Sequence, residues 1–454
     1  MHTLIRGGMD KMKGSSSKKL VALLLFFGVM FVISPAVLLA QDATHAPKID
    51  TGDTTWILVS TALVMLMTPG LALFYGGMVR RKNVLGTIMH SFIAIALVSL
   101  QWILVGYSLS FGPDIKGIIG NFSWAGLSGV GLTPNADYAP TIPHLLFMAY
   151  QMMFAVITPA LISGAFAERM KFSAYLIFAL AWTTIVYDPV AHWVWGSGGW
   201  LKHLGVLDFA GGIVVHATSG FSALAAALYI GKRKGFMQEH MPPHDLPLTV
   251  LGAGLLWFGW FGFNAGSALS SGGLATMAFV TTHTAAVSAT LTWTLVEWIH
   301  RGKPTMFGAA TGAIAGLATI TPAAGFVGPM PALVIGVAAG LLCYTALNAK
   351  TRFGYDDSLD AFGVHGVGGT LGTIMAGLFA SIAINAAGAN GLLSGNPKQL
   401  AIQAGSVALV AVYSFVASLV LFKIIDAVIG LRVSKDEETE GIDISQHGEA
   451  GYTA

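Results

Sequence analysis

The sequence predicts an all-α polytopic membrane protein of eleven transmembrane helices, built as an inverted 5+5 repeat plus one C-terminal helix. Three observations predict it. Hydrophobic residues make up 54% of the 454 residues and charged residues only 10%, whereas a soluble domain carries about 25% charged. Clusters of Lys and Arg follow every second apolar segment. An aspartate followed eight residues later by a histidine occurs twice inside membrane-length apolar sequence, as Asp208-Phe-Ala-Gly-Gly-Ile-Val-Val-His216 and Asp357-Ser-Leu-Asp-Ala-Phe-Gly-Val-His365.

Taken in order, residues 1–43 read as a signal peptide. Lys11, Lys13, Lys18 and Lys19 precede an apolar run from Leu20 to Ile33. Ser34-Pro35 breaks the run, and Leu38-Leu39-Ala40 offers a cleavage site. Residues 44–432 form the transmembrane domain. Its eleven apolar segments centre near Met65, Val98, Ala155, Ala181, Ser222, Trp257, Ser288, Ile314, Val337, Thr373 and Val412, each long enough for about 30 Å of hydrocarbon. Arg80-Arg81-Lys82, Arg169, Lys232-Arg233-Lys234, Arg301, Lys350 and Arg432 follow the odd segments, while the opposite loops hold only Lys116, Lys202 and Lys398. The positive-inside rule then places the start of the domain outside the cell membrane and the tail, residues 433–454, in the cytoplasm.

The two aspartates are 149 residues apart (357 − 208), and so are the two histidines (365 − 216). Thr158-Pro159 in the third segment matches Thr321-Pro322 in the eighth. A repeat of odd length inverts its second copy in the membrane. Asp208 and Asp357 then cap helices that start on opposite sides. If each stretch is helical, eight residues rise about 12 Å, which brings both histidines to the midplane. Ionisable groups at that depth are costly and mark pathways. The blander reading is two structural histidines bonded to backbone, which the shared offset disfavours. A haem pair is the rival from another class, but no second pair of intramembrane histidines accompanies it. No potassium-filter run is present, a net charge of +2 does not argue for nucleic acid, and the lone Cys343 forms no internal disulfide. No metal or cofactor is expected.

Two aromatic stretches, His192-Trp-Val-Trp195 and Trp257 to Ser267, end on the outer side. Tryptophan there is normally an interface belt. A π-face beside a hydroxyl such as Ser267 also suits a small cation, at about 0.5–2 kcal/mol.

On these residues the sequence resembles the ammonium transporters of the Amt/Mep/Rh superfamily. The likeness runs from about Thr54 to Tyr452 and includes Thr68-Pro-Gly-Leu-Ala-Leu-Phe-Tyr-Gly-Gly77, Gly164-Ala-Phe-Ala-Glu-Arg169, both Asp–His stretches and Trp260-Phe-Gly-Phe-Asn-Ala-Gly-Ser267. The resemblance implies a non-enzymatic ammonium channel or transporter and a homotrimer with one pore per subunit. Trp195, Ser267 and Phe154 would bind ammonium in an outer vestibule, with methylammonium as an analogue. Phe154 and Phe263 would form a gate. His216 and His365 would line the pore, Thr321 would lie near its inner part, and Asp208 and Asp357 would support it. Trp195 favours the Amt branch, and Tyr150 stands where some relatives have Phe. The acidic tail resembles one that acts with a PII-type regulatory protein. The alternative is an ammonium sensor, although only 22 residues follow Arg432 (454 − 432), shorter than a signalling domain.

Overall fold

Eleven helices carry the apolar segments in a computed structural model that describes residues 48–452. The expected signal peptide lies outside the described residues. The helices are α1 (Thr51–Met78), α2 (Arg81–Phe111), α3 (His144–Phe166), α4 (Phe172–Trp182, continued by Thr183–Tyr187 and Asp188–Trp195), α5 (Gly212–Ile230), α6 (Leu246–Ala265), α7 (Gly273–Arg301), α8 (Met306–Ile320), α9 (Pro329–Phe353), α10 (Phe362–Phe379) and α11 (Pro397–Ile429). Each expected segment centre falls inside one of them. Ten are long and apolar enough to cross a membrane. The remaining apolar helix is shorter. α8 has 15 residues, about 22 Å of helix, too short to span alone. Pro322 has no N–H to extend the ladder, and the chain continues through buried turns from Thr321 to Val327.

Glycines set how closely the helices approach. A Cβ on Gly252 of α6 would lie 2.3 Å from the Phe74 nitrogen of α1, and one on Gly262 would lie 2.8 Å from the Ser60 carbonyl. Small residues allow such backbone contact between membrane helices. α5 and α10 cross in the same way: a Cβ on Gly220 would sit 2.1 Å from the Gly366 nitrogen, and one on Gly369 would sit 2.7 Å from the Gly212 carbonyl and the His216 Cβ. Gly220 and Gly369 each lie four residues after one of the two histidines, so the two copies clasp each other at equivalent positions.

The inversion is visible in what each half-site touches. Phe209, beside Asp208, donates its N–H to the Pro322 carbonyl at the end of α8 (3.1 Å), whereas Leu359, beside Asp357, donates to the Gly164 carbonyl at the end of α3 (3.0 Å). α5 therefore starts where α8 ends, and α10 starts where α3 ends.

Lys and Arg gather on one face, called here the basic face. There Glu168 pairs with Arg80 (2.6 Å) and with Arg233 (3.6 Å), and Arg233 pairs with Asp356 (2.9 Å). Burial alone would raise both carboxyls, but the guanidiniums of Arg233, with Arg80 at Glu168 and Arg169 at Asp356, hold them below their ordinary values. The tail returns to this face as a built element, not a solvated strand. Lys171 N–H donates to the Leu431 carbonyl and Val433 N–H to the Arg169 carbonyl. The short helix α12 (Lys435–Glu440) begins with a Ser434–Glu437 capping box. Glu438 accepts from Arg432 and Asp443 from the Gly86 N–H, both at 2.8 Å.

Candidate functional site

The aspartates build both half-sites. The Asp208 carboxylate accepts four backbone N–H bonds, from Gly211 (2.8 Å), Gly212 (2.6 Å), Ile213 (2.8 Å) and Val214 (3.1 Å). Asp357 accepts from Ala361 (3.1 Å) and Phe362 (2.8 Å). Both are helix caps, as the sequence suggests. The stretch between cap and histidine is not eight residues of regular helix, however. At three residues past each aspartate the chain turns left-handed, at Gly211 (φ 117°) and Asp360 (φ 62°). π-helical turns follow, Gly212–Ala217 and Phe362–Gly366, each holding its histidine. A π turn widens the helix and often marks a functional position. Asp360 tolerates its conformation with its carboxylate held by Lys350.

These turns bring His216 and His365 together. Their Nδ1 atoms are 3.2 Å apart and the rings are nearly parallel, at 13°. One Nδ1 must donate and the other accept. Both rings are buried, and His216 Nε2 has no partner among the described residues. On one side of the pair lies a narrow cavity walled by Met67, Leu71, Phe74, Ile157, Leu161 and Trp260. Trp260 lies flat against His216, with centroids 5.6 Å apart and 19° between planes.

The expected gate and vestibule residues form a continuous chain of ring contacts. The rings of Phe154 and Phe263 are 4.3 Å apart, and Phe263 lies 6.1 Å from His216. Trp195 meets Phe154 edge-on at 6.0 Å and donates its indole N–H to the Asp208 carbonyl (2.9 Å). Asp208 thus holds α5 with its carboxylate and Trp195 with its carbonyl. Ser267 donates to the Phe263 carbonyl at 2.8 Å, so toward any further donor its oxygen acts as an acceptor.

Thr321 follows α8, and Pro322 beside it accepts from Phe209 N–H next to Asp208. The Thr321 hydroxyl donates to the Leu317 carbonyl (2.8 Å) and accepts from Trp260 Nε1 (2.9 Å), so it is bonded to the tryptophan that lies beside His216.

Two participants escaped the sequence reading. Trp260 was visible only as part of an aromatic run, and its ring contact with His216 joins residues 44 positions apart (260 − 216). Tyr150 was noted without a role. Its buried hydroxyl lies 2.9 Å from the carbonyls of Gly262 and Phe263 and 3.2 Å from Ser267 Oγ. It ties the last turn of α6 to the Ser267 hydroxyl.

Comparison with known proteins decides the family. The Ammonium Transporter Family profile matches residues 55–452. This chain belongs to the ammonium transporter family. It is 54% identical over 402 residues to an ammonium transporter of Bacillus subtilis, covering 88% of this chain and 98% of that protein. It is 52% identical over 402 residues to ammonium transporter Amt1 of Archaeoglobus fulgidus, covering 88% and 99%. Among solved structures, Mep2 of Saccharomyces cerevisiae superposes with a TM-score of 0.80 at 37% identity, covering 86% of this transporter and 89% of Mep2. A protein described as a sensor Amt protein superposes with 0.80 at 30% identity, covering 87% and 98%. The transporter relatives favour transport over sensing as the function of this chain.

Proposed function

We propose that this ammonium transporter recruits ammonium beside Trp195, Ser267 and Phe154, strips one proton, and conducts ammonia past Phe154 and Phe263 along His216 and His365. The observation that carries this reading is the chain of ring contacts that ends on two imidazoles in Nδ1–Nδ1 contact. Ammonium and potassium are similar in size and charge, so only chemistry separates them. Ammonium donates directed hydrogen bonds and can lose a proton. A bare cation at mid-bilayer costs at least about 2.5–3.5 kcal/mol. Ammonia avoids most of that cost, and potassium has no such route.

The residues divide the work. The Trp195 π-face and the Ser267 lone pairs are suited to a cation that donates N–H bonds. Asp208 offers it little charge, because its carboxylate oxygens already accept four N–H bonds. Its part is to hold Trp195 and the start of α5. Beyond the gate the cavity is mostly apolar, and the imidazole nitrogens are its polar atoms able to exchange hydrogen bonds with ammonia. The proton either stays outside or follows through the pair; an imidazole can accept and donate in turn.

The basic face fits the cytoplasmic side, with residues 433–454 as a cytoplasmic tail and residues 1–43 as a cleaved signal peptide. We further assign a homotrimer in the plasma membrane and a PII-type partner at the docked tail. Purified protein in liposomes, challenged with an ammonium gradient, tests the central reading. Saturable uptake absent from empty liposomes is expected. Ammonium binding without uptake would favour a sensor and overturn it.

A further inference from the structure

We propose that His192 and Asp114 form a proton-bridged clamp that positions Trp195, so that recruitment of ammonium weakens as the outside pH rises. The inference rests on the reading of Trp195 as part of the recruitment site. The clamp lies where α2 and α4 end, remote from the basic face.

The donors and acceptors fix the number of protons. His192 Nδ1 is 3.0 Å from the Ser110 carbonyl, and Nε2 is 2.8 Å from Asp114 Oδ1. A carbonyl only accepts, so Nδ1 carries a hydrogen. In a neutral imidazole Nε2 then keeps a bare lone pair, and that lone pair would face a carboxylate oxygen. The contact is a hydrogen bond only when one further proton is bound, which makes it an imidazolium–carboxylate pair. Charge-assisted bonds of this kind are the strong ones. The His192 side chain is buried, whereas that of Asp114 is 31% exposed, so the proton exchanges with the outer solution. Histidine changes charge between about pH 5 and 8. The other titratable groups around the clamp are engaged elsewhere or exposed. Asp188, one turn earlier on α4, accepts from Gln101 (2.7 Å) and from Ser110 Oγ (3.4 Å). Tyr138 donates to the Phe111 carbonyl (2.7 Å) and Lys202 to the Trp195 carbonyl (3.2 Å). Asp208 is engaged by the start of α5, and Lys116 and Asp137 are exposed.

The clamp reaches Trp195 through the backbone on both sides of it. Gly196 N–H donates to the His192 carbonyl (3.0 Å). A Cβ on Gly196 would lie 2.7 Å from His192 Nδ1, so the residue after Trp195 rests on the imidazole. The Asp114 carboxylate also accepts from Gly117 N–H, at 2.7 and 3.0 Å. That loop holds the residues flanking the tryptophan: Ile118 accepts from the Trp193 indole (2.7 Å) and Gly117 from Trp200 N–H (3.3 Å). Loss of the bridging proton sets two acceptors against each other, parts Asp114 from His192, and loosens the frame that presents the Trp195 ring to Phe154.

The test is ammonium uptake by the full protein in liposomes at outside pH values from about 6 to 8. Hydrogen exchange of residues 193–200, corrected for its intrinsic pH dependence, is followed alongside. In the wild type the ammonium concentration for half-maximal flux should rise about three-fold or more across that range. Maximal flux should change less, and corrected exchange should quicken. Asp114→Asn is the deciding variant. Its amide N–H donates to a neutral Nε2 while its oxygen still accepts from Gly117, so both pH dependences should vanish. Trp195→Leu shows which claim fails. If it leaves the half-maximal concentration unchanged, the recruitment reading falls and this inference with it. If it raises that concentration while folded Asp114→Asn keeps the wild-type pH dependence, the clamp alone is overturned. A wild-type half-maximal concentration and exchange that ignore pH overturn the clamp without any variant.

Discussion

At the scale of single residues, the site works by deciding which hydrogen-bonding capacity is left over. Asp208 satisfies four N–H groups, Ser267 directs its proton at Phe263, and Tyr150 closes the last turn of α6 behind it. What remains for the proposed ammonium site is a π-face and an acceptor oxygen. Trp195→Leu should raise the ammonium concentration for half-maximal flux roughly 2- to 30-fold, the range set by a cation–π contact. Tyr150→Phe should raise it about five-fold, the worth of a hydrogen bond of about 1 kcal/mol, with maximal flux nearly unchanged. Concentration-dependent uptake in liposomes checks both. The histidines and the aspartates were legible in the sequence, because ionisable groups in apolar surroundings stand out; Trp195 was singled out only through the family resemblance. Trp260 and Tyr150 were not, because an aromatic residue in an apolar run has no sign of its own until its ring neighbours are fixed.

At the scale of elements, the bundle is held by helices whose backbones touch. The α5–α10 crossing is the tightest point near the histidines, and it is made by Gly220 and Gly369. Gly220→Ala places a methyl about 2.1 Å from the Gly366 nitrogen. Overpacking of this kind typically costs 1–3 kcal/mol and here pushes the two π turns apart. A lower melting temperature and loss of most ammonium uptake are expected; wild-type uptake would show that the pair does not depend on this contact. Segment number and order were readable from hydropathy and charge alternation. The π turns, the left-handed residues at Gly211 and Asp360, and the shortness of α8 were not. Hydropathy registers how long an apolar run is, but not where its hydrogen-bond ladder breaks.

At the scale of the whole molecule, the tail and the basic face are one structure. Glu168 joins Arg80, between α1 and α2, to Arg233 after α5, and Arg169 beside it receives the tail. Because Glu168 and Asp356 titrate below their ordinary values when folded, their contribution is fully present above the ordinary carboxylate range of about 4. It is lost as pH falls through the depressed folded values. The melting temperature should therefore hold from neutral pH to about 5 and fall steeply below about 4. Glu168→Gln should cost about 3–5 kcal/mol, the usual result of leaving buried arginines without their partner, and should lower the neutral-pH melt while flattening its acid limb. An unchanged melt would detach the cluster from stability. From the sequence, the tail's docking came only from the family resemblance; the partners of Asp443 and Glu438, the N–H groups of Gly86 and Lys234, lie hundreds of residues away, and no local pattern announces such contacts.

The central claim is that selectivity comes from proton loss followed by passage along two imidazoles. The most direct test is paired ammonium and potassium flux in liposomes, with wild type beside His216→Asp, both verified as folded. The account predicts ammonium uptake without potassium flux in the wild type, and measurable potassium passage once His216 is replaced by a carboxylate that can accompany a cation. Potassium exclusion that survives the substitution with ammonium uptake intact would contradict it.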